Sequence, residues 1–298
     1  MTTKSGFVSI IGRPNVGKST LLNALIGQKI SIVSDKPQTT RNRINGIYSC
    51  EQGQAIFIDT PGLHKPKHKL GEYMVRTAER ALNEVDLVLF VVDVAGAFNG
   101  GDTHIIELLK ESTTPVVLVA NKIDLLKDEN LEQHLQPYVS ALRFAGVQPI
   151  SASLGTNIDA LIELIFSYLP PGPYYYPPED ITDVPERFVV SEIIREKVLM
   201  HTREEVPHSV AVEIEEFKEK PDGMTYIRAS IYTERESQKG ILIGAGGSML
   251  KRIGQEARQQ IEYLLDNSVY LDLWIKVRKD WRDSEQQLRR LGYHEDNR

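Results

Sequence analysis

The sequence has a single cysteine, Cys50, among its 298 residues. One cysteine cannot form an internal disulfide, and without neighbouring ligands it makes no metal site, so we assign it no function. Long apolar runs are also lacking, and none approaches the length that spans a bilayer, which excludes a transmembrane segment. The first six residues lead directly into a predicted strand, so we expect no signal or transit peptide and a cytoplasmic location.

The chain also lacks an excess of basic residues. It carries 35 Lys and Arg against 41 Asp and Glu, which gives a formal net charge of -6. Bulk basicity therefore does not drive nucleic-acid binding, and any RNA contact must come from a local surface. Hydrophobic content of 41% and charged content of 26% are typical of a folded globular protein, and the length suggests two domains.

A phosphate-binding pattern lies near the N-terminus. Two glycines separated by four residues are followed by lysine and serine, between an apolar strand and a predicted helix. The loop's backbone N–H groups can wrap an anion, Lys18 can reach its outer phosphates and Ser19 can hold Mg²⁺. This pattern predicts a nucleoside triphosphate site. Its predicted contacts are Gly12, Asn15, Val16, Gly17, Lys18, Ser19 and Thr20.

Two later segments are predicted to respond to the nucleotide. The first is polar and rich in hydroxyls, and we favour its Thr40 as a further Mg²⁺ ligand, with Thr39 as the alternative. An ordinary polar connection is the competing interpretation of this segment. The second follows a buried strand, where Asp59 can accept hydrogen bonds from Mg²⁺-bound water. The backbone N–H of Gly62 can approach a terminal phosphate and sense its loss.

The residues after a later buried strand select the base. The carboxylate of Asp124 can accept from the ring N–H and the exocyclic amine of guanine, which adenine does not offer in that arrangement. Sites built on such bonds reject analogues by about 10⁴-fold, so we predict GTP and GDP as ligands. Asn121 is expected to brace the loops and the stem of Lys122 to lie over the base. A backbone N–H to the base oxygen is expected from the segment of Ser151, Ala152 and Ser153.

The order of elements predicts the fold of the first domain. Apolar runs at 87–92 and 115–120 are typical of strands covered on both faces, and helical patterns separate them. We therefore predict an α/β domain at 1–170 with a doubly wound, mostly parallel sheet. Five prolines in nine residues open an extended linker, 171–185. For the three tyrosines within it we favour packing on the neighbouring domain over a role as an RNA-stacking platform.

Residues 186–298 predict a smaller α+β domain with a final short helix. The glycine loop at Gly244–Gly247 precedes a helix with one apolar stripe, and this setting resembles a KH domain of the type II order. KH loops clamp about four nucleotides, so we predict single-stranded RNA as the ligand, whereas a simple helix cap is the alternative. Trp281 is interpreted as a packing anchor rather than a base platform. The predicted RNA contacts are Ile243, Gly244, Ala245, Gly246, Gly247, Lys251, Arg252 and Arg258.

These motifs, in this order, resemble the Era family within the cation-dependent, Era/TrmE-like branch of P-loop GTPases. The resemblance implies hydrolysis of GTP to GDP with Mg²⁺. In that branch the loop asparagine, here Asn15, helps to hold K⁺ near the phosphates. Leu63 stands where many signalling GTPases carry a water-positioning glutamine, and leucine cannot orient water, so we expect slow intrinsic hydrolysis. The residues predicted to act in hydrolysis are Asn15, Lys18, Thr40 and Gly62.

The resemblance also implies partners. They are the 3′ end of 16S ribosomal RNA and the small ribosomal subunit, whose assembly the protein would serve. Peripheral association with the inner face of the plasma membrane is implied as well, whereas DNA binding is not expected and a monomer is. Two other interpretations stay open: an RNA-binding protein in which GTP is only structural, and an enzyme that phosphorylates a metabolite.

Overall fold

The computed structural model describes residues 2–36, 38–62, 66, 68–126, 130–221 and 223–294. They form two compact units, one containing most of the chain up to Asp183 and the other most of it from Val184 onward. In the first unit the strands are β1 (Lys4–Ile11), β2 (Ile44–Cys50), β3 (Gly53–Asp59), β4 (Leu87–Asp93), β5 (Val116–Asn121) and β6 (Gly146–Pro149). Its helices are α1 (Lys18–Ile26), α2 (Lys69–Asn83), α3 (Gly100–Lys110), α4 (Leu131–Ala141) and α5 (Ile158–Tyr168).

The strands of the first unit form one sheet with the order β2-β3-β1-β4-β5-β6. All neighbouring strands run parallel except β2, which runs antiparallel to β3. The core residues of β4 and β5 are buried on both faces because helices cover the sheet on each side. The predicted doubly wound, mostly parallel fold is confirmed. Strand β2 was not predicted, since Asn45 and Gly46 weaken its β signal.

The extended segment after α5 packs on the first unit. Its backbone pairs with the sheet at Pro171, opposite Lys4, and at Thr182, opposite Gly46. Gln54 holds it between these points, because its Oε1 accepts from the backbone N–H groups of Tyr175 and Tyr176, at 2.8 and 3.0 Å. The Tyr175 ring also lies 5.2 Å from that of Phe7. The predicted packing role of the linker tyrosines is confirmed.

The second unit is a three-stranded sheet with helices on one face. Its helices are α6 (Glu186–His201), α7 (Val206–Ser209), α8 (Glu236–Ile243), α9 (Ser248–Leu265) and α10 (Glu285–Arg290). Its strands are β7 (Ala211–Glu219), β8 (Thr225–Thr233) and β9 (Val269–Val277), in that order, with β7 antiparallel and β9 parallel to β8. Strand β9 is therefore an edge strand.

The core of the second unit lies between the sheet and helices α6 and α9. It contains the apolar stripe of α9, Ile253, Ala257 and Ile261, together with residues of α6 and β8. Trp281 is fully buried, and its indole N–H donates to the carbonyl oxygen of Ser209 at 2.8 Å, so its predicted role as a packing anchor is confirmed. Within the described part of the chain, no helix combines the length and apolarity needed to cross a membrane.

Candidate nucleotide site and RNA groove

The loop between β1 and α1 is shaped by a residue without a side chain. Gly17 has φ 100°, in the left-handed region, and a Cβ there would collide with the Asn121 amide. The absence of that Cβ lets the Asn121 Nδ2 donate to the carbonyl oxygen of Val16 at 2.8 Å. The Oδ1 of Asn121 accepts from the Ala152 N–H at 3.0 Å. Asn121 thus joins two loops, which confirms its predicted bracing role.

Lys18 is held inside this loop with its ammonium near the anion position. Only 6% of the residue is exposed, and its Nζ donates to the carbonyl oxygens of Gly12 and Arg13 at 3.1 and 2.9 Å. Burial lowers the pKa of Lys18 from 10.5 to about 8, and the nearby charge of Asp59 opposes that shift. The loop therefore holds a costly buried cation, whose charge an oxyanion can compensate.

Three hydroxyl groups converge on one oxygen of Asp59. Ser19 and Ser31 donate to its Oδ2 at 2.8 and 3.0 Å, and Thr40 does so at 3.3 Å. The Oγ of Ser19 and the Oγ1 of Thr40 are themselves 2.8 Å apart. Burial raises the pKa of Asp59, while the charge of Lys18 and these hydrogen bonds lower it. The structure thus places the hydroxyl of Thr40, the residue that we favoured, beside Ser19 and Asp59.

This cluster fits a hard divalent cation. Its groups are oxygens, and the Oδ1 of Asp59 is buried with no hydrogen-bond partner among the described residues. A buried carboxylate oxygen without a partner is costly unless something compensates its charge. Hydroxyl and carboxylate oxygens are the protein ligands that Mg²⁺ accepts. The donor set of Ser19, Thr40 and Asp59 is therefore suitable for Mg²⁺.

Ser31 and Asn23 were not predicted, although they position this cluster. The Oδ1 of Asn23 accepts from the backbone N–H groups of Ile30 and Ser31, at 3.0 and 2.9 Å. Its Nδ2 donates to the Ser31 carbonyl oxygen at 2.8 Å. Asn23 on α1 thereby sets the position of the Ser31 hydroxyl beside Asp59. No sequence signal marks this role, because it depends on a side chain that bonds to the backbone eight residues away.

The predicted base-binding residues lie together at the ends of β5 and β6. Asp124 is exposed, and its Oδ1 accepts from the Ser151 hydroxyl at 2.5 Å, which orients the carboxylate. The Nζ of Lys122 donates to the Asn15 carbonyl oxygen at 2.8 Å and pairs with Asp93 at 2.6 Å. The base-binding segment is therefore connected to the phosphate loop.

The remaining predicted nucleotide contacts surround these groups. The Ser153 hydroxyl lies 3.2 Å from that of Ser151, and Thr20 lines a surface cavity that Ala152 and Ser153 also line. Because the Ala152 N–H is engaged by Asn121, the donor to the base oxygen stays a prediction.

A Cβ on Gly62 would lie 2.9 Å from the Pro14 nitrogen, so this glycine approaches the phosphate loop closely. The prediction for Leu63 lies outside the described residues.

A groove runs between α9 and the free edge of β9 in the second unit. Its floor is apolar, and the helix and strand approach so closely that a Cβ on Gly254 would lie 3.3 Å from Leu273 Cδ1. The loop before α9 takes positive φ values at Gly244, Gly246 and Gly247, which glycine adopts readily because it has no Cβ. The groove is lined by Gly247, Leu250, Lys251, Gly254, Gln255, Arg258, Val269, Tyr270, Leu271 and Leu273.

Only some of the predicted RNA contacts line this groove. Gly247, Lys251 and Arg258 do, and both cations are exposed there. Arg252 does not, and its Nε pairs instead with Glu256 at 3.1 Å. Ile243 packs against the apolar core. Gly244, Ala245 and Gly246 belong to the loop that leads to the groove but do not line it.

Comparisons with known proteins agree with both sites. Residues 7–122 match a family model described as a 50S ribosome-binding GTPase, and residues 205–282 match the KH domain model. The chain is 57% identical over 292 residues to the GTPase Era of Heliobacterium modesticaldum, with 98% of each chain covered.

Two solved structures match nearly the whole chain, each with a TM-score of 0.95 and 42% identity over 98% of this chain and 100% of theirs. One is Era in complex with MgGDPNP and nucleotides 1506–1542 of 16S ribosomal RNA. The other is a single-residue variant of Aquifex aeolicus Era bound to GDP and AlF₄⁻. These matches confirm the predicted fold and family resemblance. The chain therefore belongs to the Era family of GTPases, and the nucleotide that it binds and hydrolyses is GTP.

Proposed function

We propose that this GTPase is a switch that controls binding of single-stranded RNA near the 3′ end of 16S ribosomal RNA, in assembly of the small ribosomal subunit. The observation that carries the RNA-binding half is the groove, where Lys251 and Arg258 flank an apolar floor beside a glycine loop. The cations there can bind RNA phosphates, and unstacked bases can pack on the apolar floor. The solved relative that binds this part of 16S RNA supports the choice of RNA. We assign 1–170 to GTP, 171–185 to the linker and 186–298 to RNA.

We propose Mg²⁺ as the metal of the nucleotide site, held by Ser19, Thr40 and Asp59. When bound, it would neutralise charge on the phosphate oxygens. The chain's own groups hold the rest of the nucleotide: Lys18 and the loop N–H groups bind the outer phosphates, and Asp124 orients guanine. Thr40 and Gly62 lie on the two segments that are expected to order around the terminal phosphate and relax after its loss.

The switch is tested by the affinity for RNA in two nucleotide states. We expect the Kd for a short single-stranded RNA of the 16S 3′ end to differ by about 10-fold between the GDP-bound and GTP-analogue-bound protein, as is typical of coupled sites. Fluorescence anisotropy with labelled RNA measures both values. Equal affinities in the two states would support the alternative in which GTP is structural.

Three variants of cationic residues on α9 test whether the RNA in that experiment binds in the groove. Lys251→Ala and Arg258→Ala remove groove cations and are expected to weaken RNA binding in both nucleotide states. Arg252→Ala removes the same charge from a neighbouring position outside the groove, so we expect little change. An equal loss in all three variants would indicate nonspecific attraction.

We propose K⁺ as a second cation and Asn15 as its loop ligand, on the family resemblance. Asn15 is exposed with φ 65° in the phosphate loop, and its carbonyl oxygen accepts from Lys122. Asn15→Ala is expected to keep GTP affinity within about 3-fold of the unmodified value but to lose stimulation of hydrolysis by K⁺ over Na⁺. Phosphate release in matched KCl and NaCl buffers measures this, and equal stimulation in the variant would contradict the proposal.

The family resemblance also supports three proposals about the setting. We propose that the protein is a cytoplasmic monomer and that it acts on the small ribosomal subunit. We also propose that a fraction of the molecules associates peripherally with the inner face of the plasma membrane. Sedimentation of the protein with ribosomal subunits and with lipid vesicles, in the presence of GTP, tests these associations.

A further inference from the structure

The outer face of the second unit's sheet, opposite the helices, carries exposed aromatic side chains. Residues at alternate positions of a strand share a face, so Tyr270 and Trp274 of β9, which are four residues apart, lie on the same face about 13 Å from each other, with Asp272 between them. Each is 55% exposed. Tyr270 also stacks on Tyr226 of β8, with ring centroids 5.8 Å apart and 16° between the planes. We call Tyr226, Tyr270 and Trp274 the aromatic platform.

Hydrogen bonds hold the platform in place. The Oδ2 of Asp272, between the two β9 aromatics, accepts from the Tyr226 hydroxyl at 3.1 Å and from Arg228 Nε at 3.0 Å. Burial alone would raise the pKa of Asp272, but hydrogen bonds hold it below its usual value. The donors of those bonds are Trp274, Arg228 and Tyr226. The rings are therefore oriented before any ligand arrives, which lowers the entropic cost of stacking on them.

The platform is continuous with the groove, because Tyr270 lines the groove and belongs to the platform. We propose that the platform is a second RNA-binding surface, on which bases of a strand leaving the groove stack as it passes over the edge of β9. The proposal rests on RNA binding in the groove. Exposed aromatics on a sheet surface are a known means of stacking single-stranded bases.

Charge and spacing favour RNA over a protein partner. The Nζ of Lys220 lies 5.2 and 5.5 Å from the ring centroids of Tyr226 and Tyr270, so a cation borders the platform. The nearby carboxylates are already paired, Asp272 with Arg228 and Glu215 with Lys276. The ion pair of Asp272 and Arg228 thus separates Trp274 from the stacked tyrosines, and the three rings do not form the continuous apolar patch that a stable protein interface would require.

The two tryptophans of the chain make the test direct. Trp274 is 55% exposed, whereas Trp281 is fully buried. We expect a single-stranded RNA of twelve nucleotides to quench the emission of Trp274 in the full chain bound to a GTP analogue, because stacked bases quench indole. A tetranucleotide that fills only the groove should not quench it. Trp274→Phe keeps a stacking ring and leaves only the buried indole, so its emission should not respond to either RNA.

Affinities then separate the platform from the groove. Trp274→Ala is expected to bind the twelve-nucleotide RNA about 10-fold more weakly and the tetranucleotide equally well, since stacking on one ring contributes about 5- to 160-fold in affinity. Trp274→Phe should bind both RNAs within about 2-fold of the unmodified chain. Tyr263→Ala is the matched control, because Tyr263 is 90% exposed but does not line the groove or the platform, and we expect no change.

Two other results would overturn the proposal in distinguishable ways. The platform would be refuted if Trp274→Ala bound the longer RNA with unchanged affinity and the RNA did not quench the unmodified chain. RNA binding in the groove would still stand in that case, and a protein partner would be the better explanation of the exposed rings. If neither RNA binds the unmodified chain, RNA binding in the groove fails, and the platform fails with it.

Discussion

Asp124→Asn is expected to change the base preference of the site from guanine to xanthine. The carboxylate offers two acceptors, which match the ring N–H and the exocyclic amine of guanine. An amide offers one acceptor and one donor, so it opposes the guanine amine and complements the carbonyl oxygen that xanthine carries there. Because a site built on such bonds leaves buried polar groups unpaired with the wrong base, we expect GTP affinity to fall by at least about 10³-fold.

The structure indicates that this substitution should change the base contact without disturbing the loop around residue 124. The Ser151 hydroxyl donates to Oδ1 of Asp124, and a serine hydroxyl can also accept, so either orientation of the new amide keeps a partner. Binding of fluorescent guanosine and xanthosine triphosphate analogues measures both affinities. Asp159→Asn is the matched control, because that exposed carboxylate lines the neighbouring surface cavity with Ala152 and Ser153. Equal loss of both nucleotides in Asp124→Asn would mean that the loop, not the base contact, had failed.

Local patterns were sufficient to predict most of the nucleotide site. The phosphate loop, Asp59 and the guanine-binding segment each combine a buried strand with a fixed spacing of polar residues. Such patterns are local, and parallel strands bring their carboxyl ends to one edge of a sheet, so the side chains meet without further information. The choice between Thr39 and Thr40 was different, because it depends on the path of an irregular segment, and only the structure shows the inward hydroxyl.

Long-range side-chain contacts explain what the sequence did not reveal. Ser31 reaches Asp59 only because Asn23 fixes its backbone, and neither residue belongs to a recognisable motif. For the RNA groove, by contrast, helical geometry alone separates the cations that line it from the one that does not. Lys251 and Arg258 are seven residues apart, close to two turns of a helix, so they share a face. Arg252 is turned by about 100° from Lys251, which accounts for its pairing outside the groove.

Lys18→Met is expected to abolish GTP binding and yet to stabilise the nucleotide-free protein at pH 7. The loss of binding, at least about 10³-fold, follows from removing the cation closest to the outer phosphates. The gain in stability follows from the buried charge. A lysine whose pKa falls from 10.5 to about 8 on folding costs roughly 3 kcal/mol at neutral pH. Loss of its two hydrogen bonds to the carbonyls of Gly12 and Arg13 offsets part of that gain.

The pH dependence distinguishes this explanation from a simple packing effect. Between pH 8 and 10.5 the unfolded chain binds more protons at Lys18 than the folded one, so the stability of the unmodified protein rises with pH in that range. We therefore expect Lys18→Met to be more stable by about 1 to 2 kcal/mol below pH 8, with the difference shrinking toward pH 10.5. Urea denaturation of the nucleotide-free proteins measures it.

A surface lysine provides the control for this prediction. Lys110 on α3 pairs with Glu107 and is exposed, so Lys110→Met should change the free energy of unfolding by less than about 0.5 kcal/mol at any pH in this range. If Lys18→Met were less stable than the unmodified protein at pH 7, or if the difference did not vary with pH, the ammonium would not be a buried cost. The buried ammonium of Lys18 would then not destabilise the nucleotide-free protein, and neutralisation of its charge would not strengthen the binding of phosphate.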